Sequence, residues 1–128
     1  MKPRVLWVFV LLALLTVTAG AADWAHWRGP WQTGASPEIG LPARWSPNPN
    51  EPGSNLIWKA PYGCRSTPIV MKGRVYIING VGHGVTQQER VMCLDADSGK
   101  VLWERKFNVF HTDIVSVRLG WASLAGDP

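Results

Sequence analysis

The sequence predicts an all-β chain, and three observations carry that prediction. Short apolar segments recur about every 10 residues between glycine, proline or Asp-Ser-Gly turns. No segment keeps a helical period. Two segments, "NLIWK" and "KVLWE", align at Trp58 and Trp103, which lie 45 residues apart.

The first element is a leader. "MKPRVLWVFVLLALLTVTAGAAD" places Lys2 and Arg4 before an apolar run from Val5 to Val17, and small residues follow. That is the three-part plan of a secretory signal peptide, here residues 1–21. Ala19-Gly20-Ala21 supplies the small-x-small cleavage pattern, with Ala22 as an alternative end. The rival reading is a retained anchor, but the run is shorter than the roughly 20 residues a span needs. No cysteine follows it to accept a lipid. Losing Lys2 and Arg4 lowers the net charge from +4 to +2. The basic character is thus partly a targeting feature and poor evidence for a nucleic-acid partner, and none is expected.

Residues 22–54 form an irregular arm. Seven prolines fall between Pro30 and Pro61, which excludes helix and central strand. Trp24, Trp27, Trp31 and Trp45 call for burial, so the arm is expected to lie across another surface. Free disorder is the alternative.

Strands follow. Residues 55–62, "NLIWKAPY", are the first candidate. A four-stranded antiparallel sheet is then expected over Ser66–Met71, Arg74–Asn79, Arg90–Asp95 and Lys100–Phe107, with Lys72-Gly73 as the first turn. Val75 to Ile78 are apolar without alternation, as in a strand buried on both sides. "KVLWERKF" alternates, with Val101, Trp103 and Phe107 on one face and Glu104 and Lys106 on the other. The loop "GVGHG" lacks the GK[ST] of a phosphate loop and opens no helix.

Cys64 lies just before the first expected strand of the sheet and Cys93 within the third, which puts them roughly 9.6 Å apart by strand spacing. A disulfide needs Cα atoms within about 7 Å, so a bridge is disfavoured. His26, His83 and His111 are scattered, and no spacing suggests a metal.

A repeat of 40–45 residues with four strands per unit is the signature of a β-propeller blade. In "CLDADSGKVLWERK" the turn between third and fourth strands follows from its chemistry. Asp95 accepts backbone N–H bonds and Gly99 takes positive φ. Trp103 on the outer strand is then placed to dock between neighbouring blades.

These residues resemble a known family. "CLDADSGKVLW" is similar to the tryptophan-docking motif of quinoprotein dehydrogenase propellers, roughly Ala-x-Asp-x-x-Thr-Gly-Lys-x-x-Trp. Asp95, Gly99, Lys100 and Trp103 match, while Cys93 stands for the alanine and Ser98 for the threonine. The order "DWAHWRGP", "WKAP", "GCRSTPIVMKGRVYIIN" and then this motif resembles secreted PQQ-binding-like β-propeller repeat proteins of bacteria.

The resemblance implies a partial propeller over residues 55–128. Residues 55–62 would be a closing strand, 64–108 the first blade and 114–128 the start of a second. Since a propeller has about four to eight blades, the sequence is expected to be the N-terminal fragment of a longer protein.

Two functions follow as expectations. One is an exported binding or scaffold module of the cell envelope, periplasmic or secreted, with a ligand or protein partner and no stable membrane span after cleavage. The alternative is a PQQ-dependent alcohol or sugar dehydrogenase whose catalytic residues lie in further blades. No catalytic or metal-binding residue is assigned in this sequence, and no residue here supports PQQ. Arg65, just before the innermost strand, is the candidate for a ligand or cofactor, with a plain strand-end role as the alternative. His111 and Asp113 lie on a blade-to-blade connection. Asp95, Ser98, Gly99, Lys100 and Trp103 are assigned a structural role.

Overall fold

The computed structural model describes residues 22–63, 65–109 and 119–127. Residues 1–21, the expected leader, together with Cys64, His111, Asp113 and the rest of the segment 110–118 lie outside the described residues. The chain is all-β, built on one four-stranded antiparallel sheet in the order β1-β2-β3-β4. Its strands are β1 Ile69–Met71, β2 Arg74–Val81, β3 Gln88–Asp95 and β4 Val101–Asn108. The only helical feature among the described residues is a 3-10 turn, Gly84–Thr86, between β2 and β3.

Local chemistry sets the strand ends. β1 starts at Ile69 rather than Ser66, immediately after Pro68, which has no N–H to give a ladder. The β1–β2 connection is two residues long, with φ +50° at Lys72 and +70° at Gly73. Positive φ at both central residues is what the tightest hairpin turn requires. β2 and β3 pair over eight positions, from Arg74↔Asp95 to Val81↔Gln88.

Both faces of the sheet are covered at its centre. Ile77 and Ile78 are consecutive, point to opposite faces, and are each only 7% exposed. On the first face Ile77, Met92 and Leu94 form the core, with Val75 and Val101 beside them and Ala60 and Tyr62 laid over them. On the second face Leu119 abuts Gly80, and residues 124–126 pack near Ile69, Met71, Tyr76 and Val91. Cys93 faces this second layer and is fully buried.

Two expectations need correction here. Val101 does not share a face with Trp103. Val101 packs on the Ile77 cluster, whereas Trp103 packs on Tyr76, the residue preceding Ile77 on β2. The cause is a register shift between Cys93 and Leu94, which inserts an extra residue into β4 and reverses its alternation there. Trp103, Phe107, Glu104 and Lys106 keep their expected sides.

The arm, likewise, does not bury its tryptophans. Trp27, Trp31 and Trp45 are 62%, 59% and 68% exposed, and only Trp24 is half-buried. The arm is shaped instead by short polar turns. Ser46 Oγ accepts from Asn48 N and donates to Glu51 Oε2, and Ser46 N donates to Ser54 O.

Residues 55–62 show strand-like alternation, with Leu56, Trp58, Ala60 and Tyr62 half-buried and the residues between them exposed. Yet they form no ladder, because they contact the sheet through side chains across its face rather than along its edge. The outer edge of β1 is covered by Trp24, whose N–H donates to Val70 O at 2.7 Å and whose C=O accepts from Val70 N at 3.0 Å. Leu102, Trp103 and Phe107 leave β4 with an exposed apolar margin.

Candidate functional site

A connected set of specific contacts surrounds the β3–β4 turn. Asp95 Oδ1 accepts from Ser98 N at 2.9 Å and from Ser98 Oγ at 2.6 Å. Gly99 N donates to Asp95 O, and Asp95 N donates to Lys100 O, each at 2.9 Å. Gly99 has φ +69°, which closes the turn at no steric cost for a residue without Cβ. The two donors from Ser98 hold the Asp95 carboxyl below its ordinary range, because they bind its charged form. Ala96 N donates to Gly73 O at 3.0 Å, tying this turn to the β1–β2 turn.

A tryptophan docks on this turn, and it is Trp58. Its Nε1 donates to Ala96 O at 2.8 Å, and its ring lies directly over Gly99. A β-carbon at Gly99 would stand 2.6 Å from Cδ2 and Cε3 of that ring. The glycine therefore serves the turn and also admits the indole. Trp58 occupies in "NLIWK" the place that Trp103 occupies in "KVLWE". The repeat marked Trp58, but only the fold shows which turn receives it.

Trp103 makes a different set of contacts. Its ring is 6.1 Å from that of Tyr76 at an interplanar angle of 57°, a tilted aromatic pair. It remains 40% exposed, beside exposed Leu102 and Phe107. The sequence motif thus joins residues with two different partners. Asp95, Ser98, Gly99 and Lys100 shape a seat for Trp58, while Trp103 presents a second indole on β4.

Arg65 is exposed at the sheet margin, with its guanidinium 5.2 Å from the centre of the Trp121 ring. A cation over an indole face is attracted by the ring quadrupole, worth about 0.5–1 kcal/mol at an exposed site. The fold thus engages Arg65 in tying residue 121 to the segment before β1. His111 and Asp113 lie outside the described residues.

A second polar group was not apparent in the sequence. Arg90 Nε donates to Asn79 Oδ1 at 3.0 Å, and Nη1 reaches Glu104 Oε2 at 3.3 Å. Its guanidinium also lies 5.2 Å from the centre of the Tyr62 ring. Lys106 Nζ approaches Glu104 Oε1 at 3.0 Å. Hydrogen bonding from Lys106, with the charges of Lys106 and Arg90, lowers the Glu104 carboxyl. These residues sit on three strands and one crossing segment, so no linear spacing announces them.

Among the described residues no group of three His, Cys, Asp or Glu side chains gathers to hold a metal ion. No helix among them is long and apolar enough to cross a membrane. Neither protein-family models, nor curated proteins, nor solved structures give a match to this chain.

Proposed function

We propose that this chain is the blade-bearing N-terminal part of an exported β-propeller repeat protein, acting as a binding or scaffold module in the cell envelope. One observation carries the reading. Trp58 is docked on the Asp95–Gly99 turn, while Trp103, 45 residues later, carries an indole that is 40% exposed on the outer strand. A repeated tryptophan, seated once and presented once, is the relation expected between successive units of a radial array. The sheet supports this further by receiving a chain segment on each face. In this reading Arg65 and Trp121 belong to the contact between successive units.

The test uses protein recovered from the periplasm of the source cell. Electron microscopy should show a ring with a central channel. Dye-linked assays with PQQ, Ca²⁺ and primary alcohols or sugars should show no turnover. A ring that turns over the dye replaces the binding reading with a quinoprotein dehydrogenase. A particle without radial repeats overturns the propeller itself.

A further inference from the structure

We propose that leader cleavage after Ala21 creates an α-ammonium on Ala22 that Glu38 captures, fastening the mature N-terminus along the edge of β1. The inference deepens the export reading and rests on it. In the structure Ala22 N donates to Glu38 Oε1 at 2.7 Å, closing a loop across 16 residues. In the uncut chain that nitrogen belongs to a peptide bond and is neutral.

Hydrolysis by a leader-removing peptidase adds one water across the bond. Ala21 leaves with a carboxylate, and Ala22 keeps the nitrogen as an amine. With an ordinary α-amino pKa of about 7.7–8.0, that amine holds a proton at neutral pH. The bond to Glu38 then becomes a charge-assisted hydrogen bond, roughly twice as strong as its neutral counterpart. The nitrogen already stands where the ion pair needs it, so capture requires no rearrangement of Glu38.

Two further features converge on this position. The small-x-small run ends at Ala21, one residue before the nitrogen that meets Glu38. A cut one residue later would remove that nitrogen from the protein. The pair also sits in a groove with Trp24, Trp31, Pro37 and Val70 along its walls.

The consequence reaches the sheet through successive attachments. Asp23 Oδ1 accepts from Lys72 N at 2.9 Å. Trp24 exchanges two backbone hydrogen bonds with Val70, and Ala25 O accepts from Gly126 N at 2.8 Å. Residues 22–25 therefore cover the edge of β1, which would otherwise offer unpaired N–H and C=O groups to another chain. Glu38 holds the free end of that cover, so removing the leader also secures the edge.

The experiment expresses the full chain with its leader in a Gram-negative host and recovers the periplasmic protein. Mass spectrometry should find Ala22 as the first residue. The native protein is then acylated at pH 7 with an N-hydroxysuccinimide ester, and modification of the N-terminal peptide is followed over time. The α-amine should react about fivefold more slowly than in Glu38→Gln, which keeps an acceptor of the same shape without the charge. The wild type alone gives a second comparison, since unfolding in urea should abolish the protection. Equal rates in wild type, Glu38→Gln and urea-unfolded protein overturn the capture and leave export standing. A first residue other than Ala22 also overturns the capture, and an intact Met1 overturns export with it.

Discussion

The indole of Trp58 packs over Gly99 of the β3–β4 turn, two residues far apart in sequence. A β-carbon at Gly99 would be 2.6 Å from the ring, and φ there is +69°. Gly99→Ala therefore meets two penalties at once. The left-handed conformation costs about 1–2 kcal/mol for an L-residue, and the overpacking costs about 1–3 kcal/mol. A fall in unfolding free energy of about 2–5 kcal/mol is expected from urea denaturation. In the same series Trp58→Phe should lose about 1–2 kcal/mol, since it removes the bond to Ala96 O and part of the ring packed over the turn. Trp58→Ala should lose about 3 kcal/mol, because it also empties the contact with the turn.

The exposed margin of β4 should bind apolar probes. Leu102, Trp103 and Phe107 stand along an edge strand, the arrangement that templates association between chains. The purified chain is expected to enhance the fluorescence of a hydrophobic dye and to self-associate as its concentration rises. Trp103→Lys combined with Phe107→Lys should reduce both effects, as charge on an edge does. Dye binding unchanged by the double substitution would move the sticky surface to the exposed tryptophans of the arm.

Acid should weaken the turn in a definite direction. Hydrogen bonds from Ser98 lower the Asp95 carboxyl in the folded chain below its ordinary value of 3.8. Between the folded and unfolded values the unfolded chain binds more protons, so stability rises with pH across that window. The contribution is fully present above the unfolded pKa and is lost as pH falls through the folded one. Glu104, lowered by Lys106 and Arg90, acts with the same sign from its ordinary value of 4.5. The slope of unfolding free energy between about pH 2 and pH 5 should therefore flatten in Asp95→Asn and flatten further with Glu104→Gln. An unchanged slope in the double variant would show that these carboxyls are not held by their partners in solution.

Cys93 should be protected while the sheet is intact. Its side chain is fully buried against the second face and is free. In a Cys64→Ser variant the remaining thiol should react with an aromatic disulfide reagent only at the rate of unfolding, and rapidly in concentrated urea. Fast reaction in native buffer would mean that the 119–126 segment does not stay seated on that face.

The sequence by itself determined the all-β class, the order of four strands and the position of both tight turns. These features rest on local chemistry. Gly73 and Gly99 allow positive φ, Asp95 caps a turn four residues long, and Val75 to Ile78 form an apolar run that only a doubly covered strand accommodates. Trp58 and Trp103 were visible as equivalents because a repeated side chain needs no three-dimensional information to be recognised. Tertiary structure alone decided which tryptophan fills the turn, since seating Trp58 depends on a segment that crosses the sheet face without pairing. It also separated Val101 from Trp103, because a bulge depends on pairing with β3 and leaves no mark on alternation within β4. The exposure of Trp27, Trp31 and Trp45 was decided there as well. Burial requires an opposing surface, and the arm spends its contacts on its own turns and on the edge of β1. The meeting of Ala22 N with Glu38 belongs to the same class, for a lone carboxylate between proline and isoleucine gains its meaning only from the backbone N–H folded against it.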